Sequence, residues 1–470
     1  MAKNNLIHFI GIGGIGMSAL ARYFLSEGYK VSGSDLTRSP ITDALKKEGA
    51  VIYIGKHSAN NLRPDVSTVI YNQAIPNNNP ELKKARQLAS EHSRRATIKI
   101  QSYPEAIGEL TRKYQTIAIA GAHGKTTTTA MTTLVLIEAG LDPTVIVGSL
   151  LKEFSPHVIA RIRQLAETWQ SYTNIRSPRS ARDDSYGVNF RKGQSPWLIL
   201  EADEWKASFL HYAPEITVIT NIDKEHLDFY KNFANVKKAF EKFRNQCGIV
   251  LERPKNPAIA KKIKAVLKIP GEHNVQNALL AYAIGQYLKI PEKIILRALG
   301  KYTGAWRRME YRGKLNVSEK FKVQSSKFKV LVYDDYAHHP TEIKATLAGF
   351  REKYPKNALI CVFQPHQMER LKLLFNDFKT AFKDADQLIL IPTYEVAGRE
   401  NSKAVAENRR LIEKLAQATN ATYIIKPEKD LKKSIENIIK SLPPKPYPLN
   451  PIIVMMGAGD IINYTQLLLK

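Results

Sequence analysis

One short run of residues has the composition of a phosphate-binding turn. Residues 121–127, GAHGKTT, follow the apolar run TIAIA and open a stretch with helical spacing. In such a turn the backbone N–H groups bind anions, a lysine reaches the β- and γ-phosphates, and a threonine hydroxyl ligates Mg²⁺. Ile119 stands where the general P-loop pattern has its first glycine, so that pattern formally fails. Helix capping explains the threonines but not a lysine between glycine and threonine, which favours a phosphate site.

A second glycine-rich turn lies close to the N-terminus. Residues 11–16, GIGGIG, follow an apolar run and open a helical stretch, and Asp35 ends the next apolar run. This order matches the dinucleotide-binding pattern G-x-G-x-x-G, in which the backbone approaches a diphosphate at a helix N-terminus. The motif alone fits any diphosphate nucleotide, and a purely structural tight turn is the alternative.

Acidic residues follow two further apolar runs in the middle of the chain. EADE (201–204) ends the run WLIL, and TNID (220–223), with His226 and Asp228 just beyond, ends the run ITVI. Buried carboxylates are costly unless a cation balances them, and oxygen ligands suit Mg²⁺. Because the carboxyl ends of parallel strands meet at one edge of a sheet, we predict a metal–nucleotide site there. The alternatives are a solvated acidic loop and a structural histidine.

Polar clusters also follow two strands predicted in the last third. DDYAHHP (334–340) comes after KVLVY, and QPH (364–366) comes after ALICVF. Polar residues at consecutive strand ends indicate a ligand crevice. The histidine pair suggests zinc, but no third ligand stands at metal spacing, so substrate contact is favoured.

These motifs need a scaffold of alternating strands and helices. Apolar runs alternate with helical patterns along the chain, which predicts an α/β fold with parallel sheets. Three units are predicted, near 1–111, 112–303 and 304–470. Residues 155–186 break this rhythm, because they carry no strand signal and end in a Ser/Arg/Asp-rich run. We interpret them as a surface insertion whose deletion is tolerated.

Composition excludes several classes of protein. The chain has 470 residues, 44% hydrophobic and 24% charged, which excludes a disordered or fibrous chain. Two distant cysteines, Cys247 and Cys361, exclude a disulfide scaffold and favour a reducing compartment. No apolar stretch is long enough to span a bilayer, and the N-terminal residues lack a signal-peptide cleavage region. We therefore expect a cytoplasmic protein that does not bind a membrane.

The net charge of +26 is compatible with nucleic acid or with small anionic substrates. The basic residues are spread from end to end, without an arginine-rich tail or a basic-aromatic stripe. This distribution favours anionic substrates, and no nucleic-acid partner is predicted.

Taken in chain order, the motifs resemble the Mur ligase family over essentially the whole sequence. The resembling segments are GIGGIGMSALA (11–21), SGSD (32–35), AHGKTTTT (122–129), EADE…SFL (201–210), TNIDKEHLDFY (220–230), GEHNVQNAL (271–279), RRMEYRG (307–313), DDYAHHPTEIKATL (334–347), FQPH (363–366) and GAGDI (457–461). The resemblance implies a Rossmann-like UDP-binding domain at 1–111, a P-loop-like central ATPase domain at 112–303 and a Rossmann-like C-terminal domain for the amino acid at 304–470.

The resemblance also implies a reaction. The lactyl carboxylate of UDP-N-acetylmuramate attacks the γ-phosphate of ATP, and the amine of L-alanine then displaces phosphate from the acyl phosphate. ATP and Mg²⁺ are the implied cofactors of this step in peptidoglycan synthesis. UDP-N-acetylmuramate and L-alanine are the implied partners of a monomer or weak homodimer.

Site residues follow from the resemblance by motif position. Catalysis is assigned to Lys125, Glu201, His226 and Arg308, and the implied metal ligands are Thr126, Glu201 and His226. The implied ATP-binding residues are Gly121, His123, Gly124, Lys125, Thr126, Thr127, Asn274, Asn277, Asp335 and Tyr336. The implied UDP-substrate contacts are Gly11, Gly13, Gly14, Gly16, Ser34 and Asp35. The implied amino-acid contacts are His339, His366 and Arg370.

The sequence departs from the family pattern at several positions. Trp205 and Lys206 follow EADE, where small polar residues are usual, and Asn72 and Gln73 replace a serine pair. Lys242 stands sixteen residues after His226, at the spacing of a carbamylated lysine in later-acting members. We interpret Lys242 as a solvated helix lysine.

Three other functions compete with this reading. The nearest is a related ligase that adds a peptide or a different amino acid to the same UDP-sugar. A nicotinamide-dependent oxidoreductase would leave GAHGKTT and EADE unexplained. A nucleic-acid-stimulated ATPase would leave GIGGIG and the histidine pair unused.

The residue after QPH leads to a testable prediction. The family pattern for L-alanine has arginine at positions 367 and 370, which resemble a clamp for the amino acid's carboxylate, but this chain has Gln367 and Arg370. Gln367→Arg should restore a charge-assisted hydrogen bond and strengthen amino-acid binding by roughly 1.5–3 kcal/mol. The measurement is the KM for L-alanine, with glycine and L-serine as the next-best substrates. An unchanged KM, or preference for a bulky or acidic amino acid, would contradict this view of the pocket.

Overall fold

The computed structural model describes residues 3–91, 98–151, 188–316, 329–394, 402–442 and 450–469. The expected insertion at 155–186 lies outside these described residues. In the described parts of the chain, no helix is both long and apolar enough to cross a membrane.

The chain forms two compact units. The first comprises Met1–Val266 and Asn277–Tyr302, and the second comprises Leu267–Gln276 and Thr303–Lys470. Two sheets lie in the first unit and one in the second. The α/β class expected from the sequence is confirmed, whereas the three domain boundaries remain predictions.

The first sheet is doubly wound and wholly parallel. Its strands are β1 (Lys3–Ile10), β2 (Tyr29–Asp35), β3 (Val51–Ile54), β4 (Val66–Tyr71) and β5 (Lys99–Ser102), and its helices are α1 (Ile15–Ser26), α2 (Pro40–Lys47), α3 (Pro80–Glu91) and α4 (Tyr103–Thr111). The strand order is β3-β2-β1-β4-β5. In this order the connections reverse direction beside β1, and such a switch point is where open α/β sheets bind ligands. The glycine-rich turn at 11–14 follows β1 at this point.

The second sheet carries the phosphate turn. Its strands are β6 (Gln115–Ala120), β7 (Thr144–Leu151), β8 (Val188–Arg191), β9 (Trp197–Ala202), β10 (Ile216–Ile219) and β11 (Ile249–Leu251). The helices after them are α5 (Lys125–Glu138), α6 (Leu227–Tyr230), α7 (Phe233–Asn245), α8 (Pro257–Val266), α9 (Glu272–Tyr287) and α10 (Glu292–Leu299), with a 3-10 segment at Trp205–His211. The strand order is β11-β10-β6-β9-β7-β8. Because β6 lies between β10 and β9, the turn at 121–124, EADE and TNID share one sheet edge.

The third sheet belongs to the second unit. Its strands are β12 (Glu310–Asn316), β13 (Lys329–Asp335), β14 (Leu359–Phe363), β15 (Gln387–Leu390), β16 (Thr422–Tyr423) and β17 (Ile452–Met456). Its helices are α11 (Pro340–Lys353), α12 (Met368–Leu373), α13 (Phe375–Lys379), α14 (Ser402–Thr419), α15 (Pro427–Ser441) and α16 (Ile461–Leu469). The order is β12-β13-β17-β14-β15-β16. Since β13 and β14 flank β17, the clusters after them lie at the same edge.

Two edge strands depart from the parallel pattern that the sequence predicts. β8 runs antiparallel to β7, and β12 runs antiparallel to β13. The central strands are parallel, as the sequence predicts. Their sequences are continuous apolar runs because both faces of such strands are buried. All residues of β17 and β14, for example, are buried.

The first two sheets share one hydrophobic core. Leu20 and Tyr23 of α1 belong to the same buried cluster as Phe209 and Phe240 of the second sheet's region. Polar contacts reinforce it: Asn189 of β8 donates to the hydroxyl of Ser18 at 2.9 Å and accepts from the guanidinium of Arg22. The helix that follows the first glycine-rich turn is therefore packed against the sheet that carries the phosphate turn.

A buried polar network lies beneath the ends of β1 and β2. The carboxylate of Glu81 is fully buried and contacts His8 Nε2 at 3.0 Å, His57 Nδ1 at 3.1 Å and Ser34 Oγ at 2.6 Å. Burial raises the pKa of this carboxyl, but the hydrogen bonds from His57, His8, Ser34 and Asn61 outweigh it and hold the pKa below its usual range. Glu81 is therefore ionised at neutral pH and accepts hydrogen bonds from five donors, of which the fifth is the backbone N–H of Ser58.

Removing this carboxylate should destabilise the fold. Glu81→Ala leaves buried donors without an acceptor, and we expect a loss of roughly 3–5 kcal/mol in the free energy of unfolding at pH 7. The measurement is urea-induced unfolding. Glu109→Ala, at a half-exposed salt bridge with Lys99, is the control and should cost under about 1 kcal/mol.

The same group predicts a pH dependence. Its folded pKa lies below the unfolded value near 4.5, so its stabilisation is present above that pH and is lost as the pH falls below it. Glu81→Gln should therefore lose less stability than the wild type between pH 5 and pH 3. Parallel losses in the two proteins would show that Glu81 does not carry the effect.

Candidate active site

The phosphate turn joins β6 to α5 through two glycines that no other residue could replace. Gly121 has φ +130°, and a Cβ there would lie 2.0 Å from Thr220 Oγ1. Gly124 has φ +84°, and a Cβ there would lie 2.4 Å from Asn277 Oδ1. The close approach of Thr220 and Asn277, together with the left-handed backbone at Gly124, explains the glycines. They leave Lys125 as the first residue of α5.

Lys125 is bonded to an acid of the neighbouring strand end. Its Nζ donates to Glu204 Oε2 at 2.7 Å and to the carbonyl of Gly121 at 2.6 Å. Burial lowers the pKa of an ammonium, but the carboxylates of Glu204, Asp203 and Glu201 hold the pKa of Lys125 above its ordinary value. The lysine is thus a fixed positive charge at the phosphate turn.

Thr126 and Glu201, the two residues implied as ligands of one Mg²⁺, lie side by side. Thr126 Oγ1 donates to Glu201 at 3.0 Å, and the N–H of Gly148 donates to the same carboxylate at 2.7 Å. Burial raises the pKa of Glu201, against the opposing charge of Lys125. A hydroxyl beside a buried carboxylate is a suitable half-site for a hard divalent cation.

A second group of donors combines the loop after β9 with the segment after β10. One ligand atom each from Asp203, Glu204 and His226 lies within 4.8 Å of the other two, and His226 Nε2 is 3.7 Å from Glu204 Oε1. Burial, reinforced by Asp203, raises the pKa of Glu204 to about 7 against the attraction of Lys125. The buried carboxylate of Glu204 beside the more exposed carboxylate of Asp203 fits a divalent cation, which would relieve their mutual repulsion. The sequence singled out EADE but assigned Glu204 no role of its own.

The end of β10 holds the phosphate turn in place. Asn221 accepts the N–H of His123 at 2.9 Å and donates to its carbonyl at 2.9 Å. His123 Nε2 lies 3.0 Å from Asp223 Oδ2. The contribution of the TNID segment and His226 to a metal site stays a prediction. The side chain of Asn221 in the same segment also clamps the phosphate turn, a role that sequence analysis did not assign.

The first glycine-rich turn has the geometry of a diphosphate site. The N–H of Gly13 donates to Asp35 Oδ2 at 2.9 Å, and a Cβ on Gly13 would lie 2.8 Å from the same oxygen. Gly14 precedes α1 without a side-chain cap, so the helix start presents backbone donors. Gly11 adopts φ +82°. Ser34, by contrast, is buried in the Glu81 network.

The histidines expected at the amino-acid site lie in the second unit, at the edge shared by β13 and β14. The ring of His366 stacks on Tyr394 with 13° between the planes, and its centroid is 5.9 Å from that of His338. Burial, then the charges of His338, Arg370 and Arg307, lower the pKa of His366 to about 4. At neutral pH His366 is therefore an uncharged hydrogen-bonding group.

Other expected contacts have internal partners. His339 caps α11 by accepting the N–H of Thr341 at 3.3 Å. Gln367 is exposed, with φ +63°, while Arg370 is buried. Their contact with the amino acid remains a prediction.

The residues expected around the nucleoside also have partners within the protein. Asp335 accepts the N–H of Met309 at 2.7 Å and that of Ala337 at 2.9 Å, so both of its oxygens are used within the fold. The guanidinium of Arg308 lies 5.1 Å from the Tyr336 ring.

The structure also describes Asn274 and Lys242, two further residues named from the sequence. Asn274 donates to the carbonyl of Pro270 at 2.6 Å. Lys242 is exposed on α7, as expected for a solvated lysine.

Residues with a left-handed backbone conformation are grouped at both sites. Among the described residues, the non-glycine positions with positive φ at these sites are Lys206, Ala207 and His226 in the first unit and Arg307, Met309 and Gln367 in the second. Each such conformation costs about 1–3 kcal/mol and persists only where the surroundings hold it. Strain of this kind is typical of ligand-binding segments.

A phosphate turn facing buried carboxylates at one edge of a parallel sheet is the arrangement of a nucleotide-dependent enzyme. Family models describe the same chain in three parts: "Mur ligase family, catalytic domain" at 6–115, "Mur ligase middle domain" at 119–253, and "Mur ligase, glutamate ligase domain" at 319–459.

Relatives match over the full length. UDP-N-acetylmuramate–L-alanine ligases from Desulforapulum autotrophicum and Clostridium perfringens are each 34% identical, covering 100% and 99% of this chain and 99% and 98% of their own. The crystal structure of UDP-N-acetylmuramate-alanine ligase MurC from Thermotoga maritima is similar with a TM-score of 0.69 at 25% identity, covering 98% of this chain and 97% of that one. The chain belongs to the Mur ligase family, which confirms the family and the ligase class predicted from the sequence.

Lys125 is the site residue whose replacement should reduce turnover most. Lys125→Ala removes a contact that strengthens as phosphate is transferred, and we expect nucleotide-dependent turnover to fall about 10²–10³-fold. Steady-state ADP release measures it. Lys113→Ala, at an exposed lysine before β6, is the control. Circular dichroism checks the fold, because Glu204 loses its cationic partner. Near-normal turnover of Lys125→Ala would refute the phosphate site.

Proposed function

We propose that this protein joins L-alanine to the lactyl carboxylate of UDP-N-acetylmuramate and converts ATP to ADP and phosphate. The observation that carries the proposal is the pairing of the phosphate turn with the acids of β9: Lys125 with Glu204 and Thr126 with Glu201. The names of relatives aligned along the whole chain supply the substrates.

A carboxylate does not acylate an amine at neutral pH, because its own oxygen is a poor leaving group. In the proposed reaction a lactyl carboxylate oxygen attacks the γ-phosphorus, and the bond to the β-phosphate oxygen breaks to release ADP. The amine of L-alanine then attacks the carbonyl carbon of the acyl phosphate. The resulting tetrahedral intermediate expels phosphate as the nitrogen loses its proton. Positioning and charge neutralisation account for most of such catalysis.

Residues of the phosphate turn neutralise the negative charge of the phosphates. The N–H groups between Gly121 and Lys125 surround the β- and γ-phosphates, and the Lys125 ammonium, permanently charged, approaches the transferred group. A phosphate oxygen competes with Glu204 for this ammonium when ATP binds. Glu204 is then available to a cation.

Mg²⁺, when bound, shields the phosphate oxygens from the incoming carboxylate. Thr126 and Glu201 form one set of donors for it, and Asp203, Glu204 and His226 form the other. The set expected from the sequence paired His226 with Glu201, and the proximity of His226 to Glu204 supports adding Glu204.

The remaining contacts follow motif position. Asn274 and Asn277 bind adenine, Asp335 and Tyr336 the ribose and base, and Arg308 the phosphates. His339, His366 and Arg370 bind L-alanine, and the first glycine-rich turn with Ser34 and Asp35 binds the UDP moiety. The unpaired cysteines fit a reducing, cytoplasmic setting, where the protein acts as a monomer or weak homodimer.

One assay tests the proposal. Purified protein is given MgATP, UDP-N-acetylmuramate and each amino acid in turn, with ADP release and product mass as readouts. ADP should form only with all three substrates, fastest with L-alanine, and omission of Mg²⁺ should abolish it. ADP release with a peptide but not with L-alanine would indicate a peptide ligase. Release stimulated by nucleic acid without the UDP-sugar would overturn ligase function.

A further inference from the structure

A short segment after β4 contacts both the first glycine-rich turn and the loop that follows β9. The segment comprises residues 72–75, NQAI. Asn72 Oδ1 accepts the N–H of Ala74 at 2.8 Å, and the carbonyl of Asn72 accepts the N–H of Ile75 at 2.9 Å. These bonds close a tight turn that fixes where the side chain of Gln73 points.

On one side this segment packs against the first glycine-rich turn. A Cβ on Gly11 would lie 3.3 Å from Asn72 Cβ, and a Cβ on Gly14 would lie 3.3 Å from Asn72 Nδ2. The N–H of Asn72 also donates to the carbonyl of Ile10 at 3.1 Å. Movement of the turn is therefore transmitted directly to the segment.

On its other side the segment bonds to the acid loop, defined as residues 203–208. The Ser208 hydroxyl lies 2.8 Å from Gln73 Oε1 and 2.6 Å from the carbonyl of Trp205, and Lys206 Nζ donates to the Gln73 carbonyl at 2.9 Å. Ser208 is buried, and the Lys206 ammonium also lies 4.7 Å from the Trp205 ring. The two places where the sequence departs from the family pattern, Gln73 and Trp205-Lys206, therefore meet.

The acid loop needs such support. Lys206 and Ala207 are consecutive left-handed residues, with φ +49° and +57°. L-residues pay about 1–2 kcal/mol each for this conformation, so the loop relaxes unless its neighbours hold it. The strained pair comes directly after Glu204, whose carboxylate contacts Lys125 and His226. Relaxation of the loop would displace that carboxylate.

We propose that Gln73 is a positioning residue that ties the UDP-sugar site to the acid loop, so that substrate on the glycine-rich turn stabilises Glu204 in its working position. This inference rests on the proposed function, because it assigns the UDP-sugar to that turn. Gln73 acts through the acid loop, because its contacts in the structure are with Ser208 and Lys206. Its effect should fall on kcat and not on the binding of L-alanine.

The test is a mutant cycle in the complete ligation assay. Gln73→Ala should lower kcat about tenfold and leave the KM for L-alanine within twofold of the wild type. Gln73→Glu keeps the oxygen acceptor and should restore most of the rate. Ser208→Ala also removes the bond to the Trp205 carbonyl, so it should lower kcat at least as much as Gln73→Ala. The loss in the double variant should be smaller than the sum of the two single losses, because both variants remove the contact between Ser208 and Gln73. Gln87→Ala, at an exposed glutamine on α3, is the control.

Trp205 supplies a readout independent of turnover. Addition of UDP-N-acetylmuramate without ATP should change tryptophan emission in the wild type and in Gln87→Ala, but not in Gln73→Ala or in a Trp205→Phe background. If Gln73→Ala does not fold, Lys206→Ala carries the test, since it removes the other bond between the acid loop and Gln73.

The outcomes distinguish failure of the proposed function from failure of the positioning role of Gln73. A wild type that forms no alanylated product overturns the proposed function. A wild type that ligates, with Gln73→Ala at normal kcat or with additive losses in the double variant, overturns the positioning role. Failure of Gln73→Glu to exceed Gln73→Ala also overturns it.

Discussion

The burial of two carboxylates at the end of β9 is the constraint on which the first compact unit depends. Glu204 is buried and Glu201 is half-buried at the sheet edge, and each is tolerable only because donors converge on it. Lys125, Thr126 and the N–H of Gly148 supply them. A side chain at 148 would collide with Glu201, since a Cβ there would lie 2.9 Å from its oxygens. The same two carboxylates therefore require the lysine, the threonine and the glycine.

Much of this arrangement is accessible to sequence reasoning, because it follows from strand ends. The apolar runs that became β6, β9 and β10 predict parallel strands, and parallel strands place their carboxyl ends together. The proximity of GAHGKTT to EADE follows without further information. The likeness to a known family then supplies residue roles that spacing alone does not.

The rest depends on contacts that no pattern encodes. β8 is a four-residue edge strand in VNFR, which carries no continuous apolar run. The side-chain amide of Asn221 clamps the backbone of His123 in the phosphate turn, and no sequence pattern distinguishes this asparagine from others in polar loops. Asp335 looks like a ligand in the sequence, yet both of its oxygens accept backbone N–H groups. Whether a polar side chain faces a ligand or its own fold is decided by tertiary geometry.

The shared core of the first two sheets has a consequence for synthesis of the chain. Arg22 of α1 bonds to Asn189, 167 residues later, and Tyr23 packs edge-on against Phe190. As the polypeptide leaves the ribosome, the first sheet can form its strands early, but the apolar face of α1 stays uncovered until β8 has emerged. Contacts of such long range slow folding and leave hydrophobic surface open to association. The nascent N-terminal sheet is therefore open to association until β8 has been synthesised.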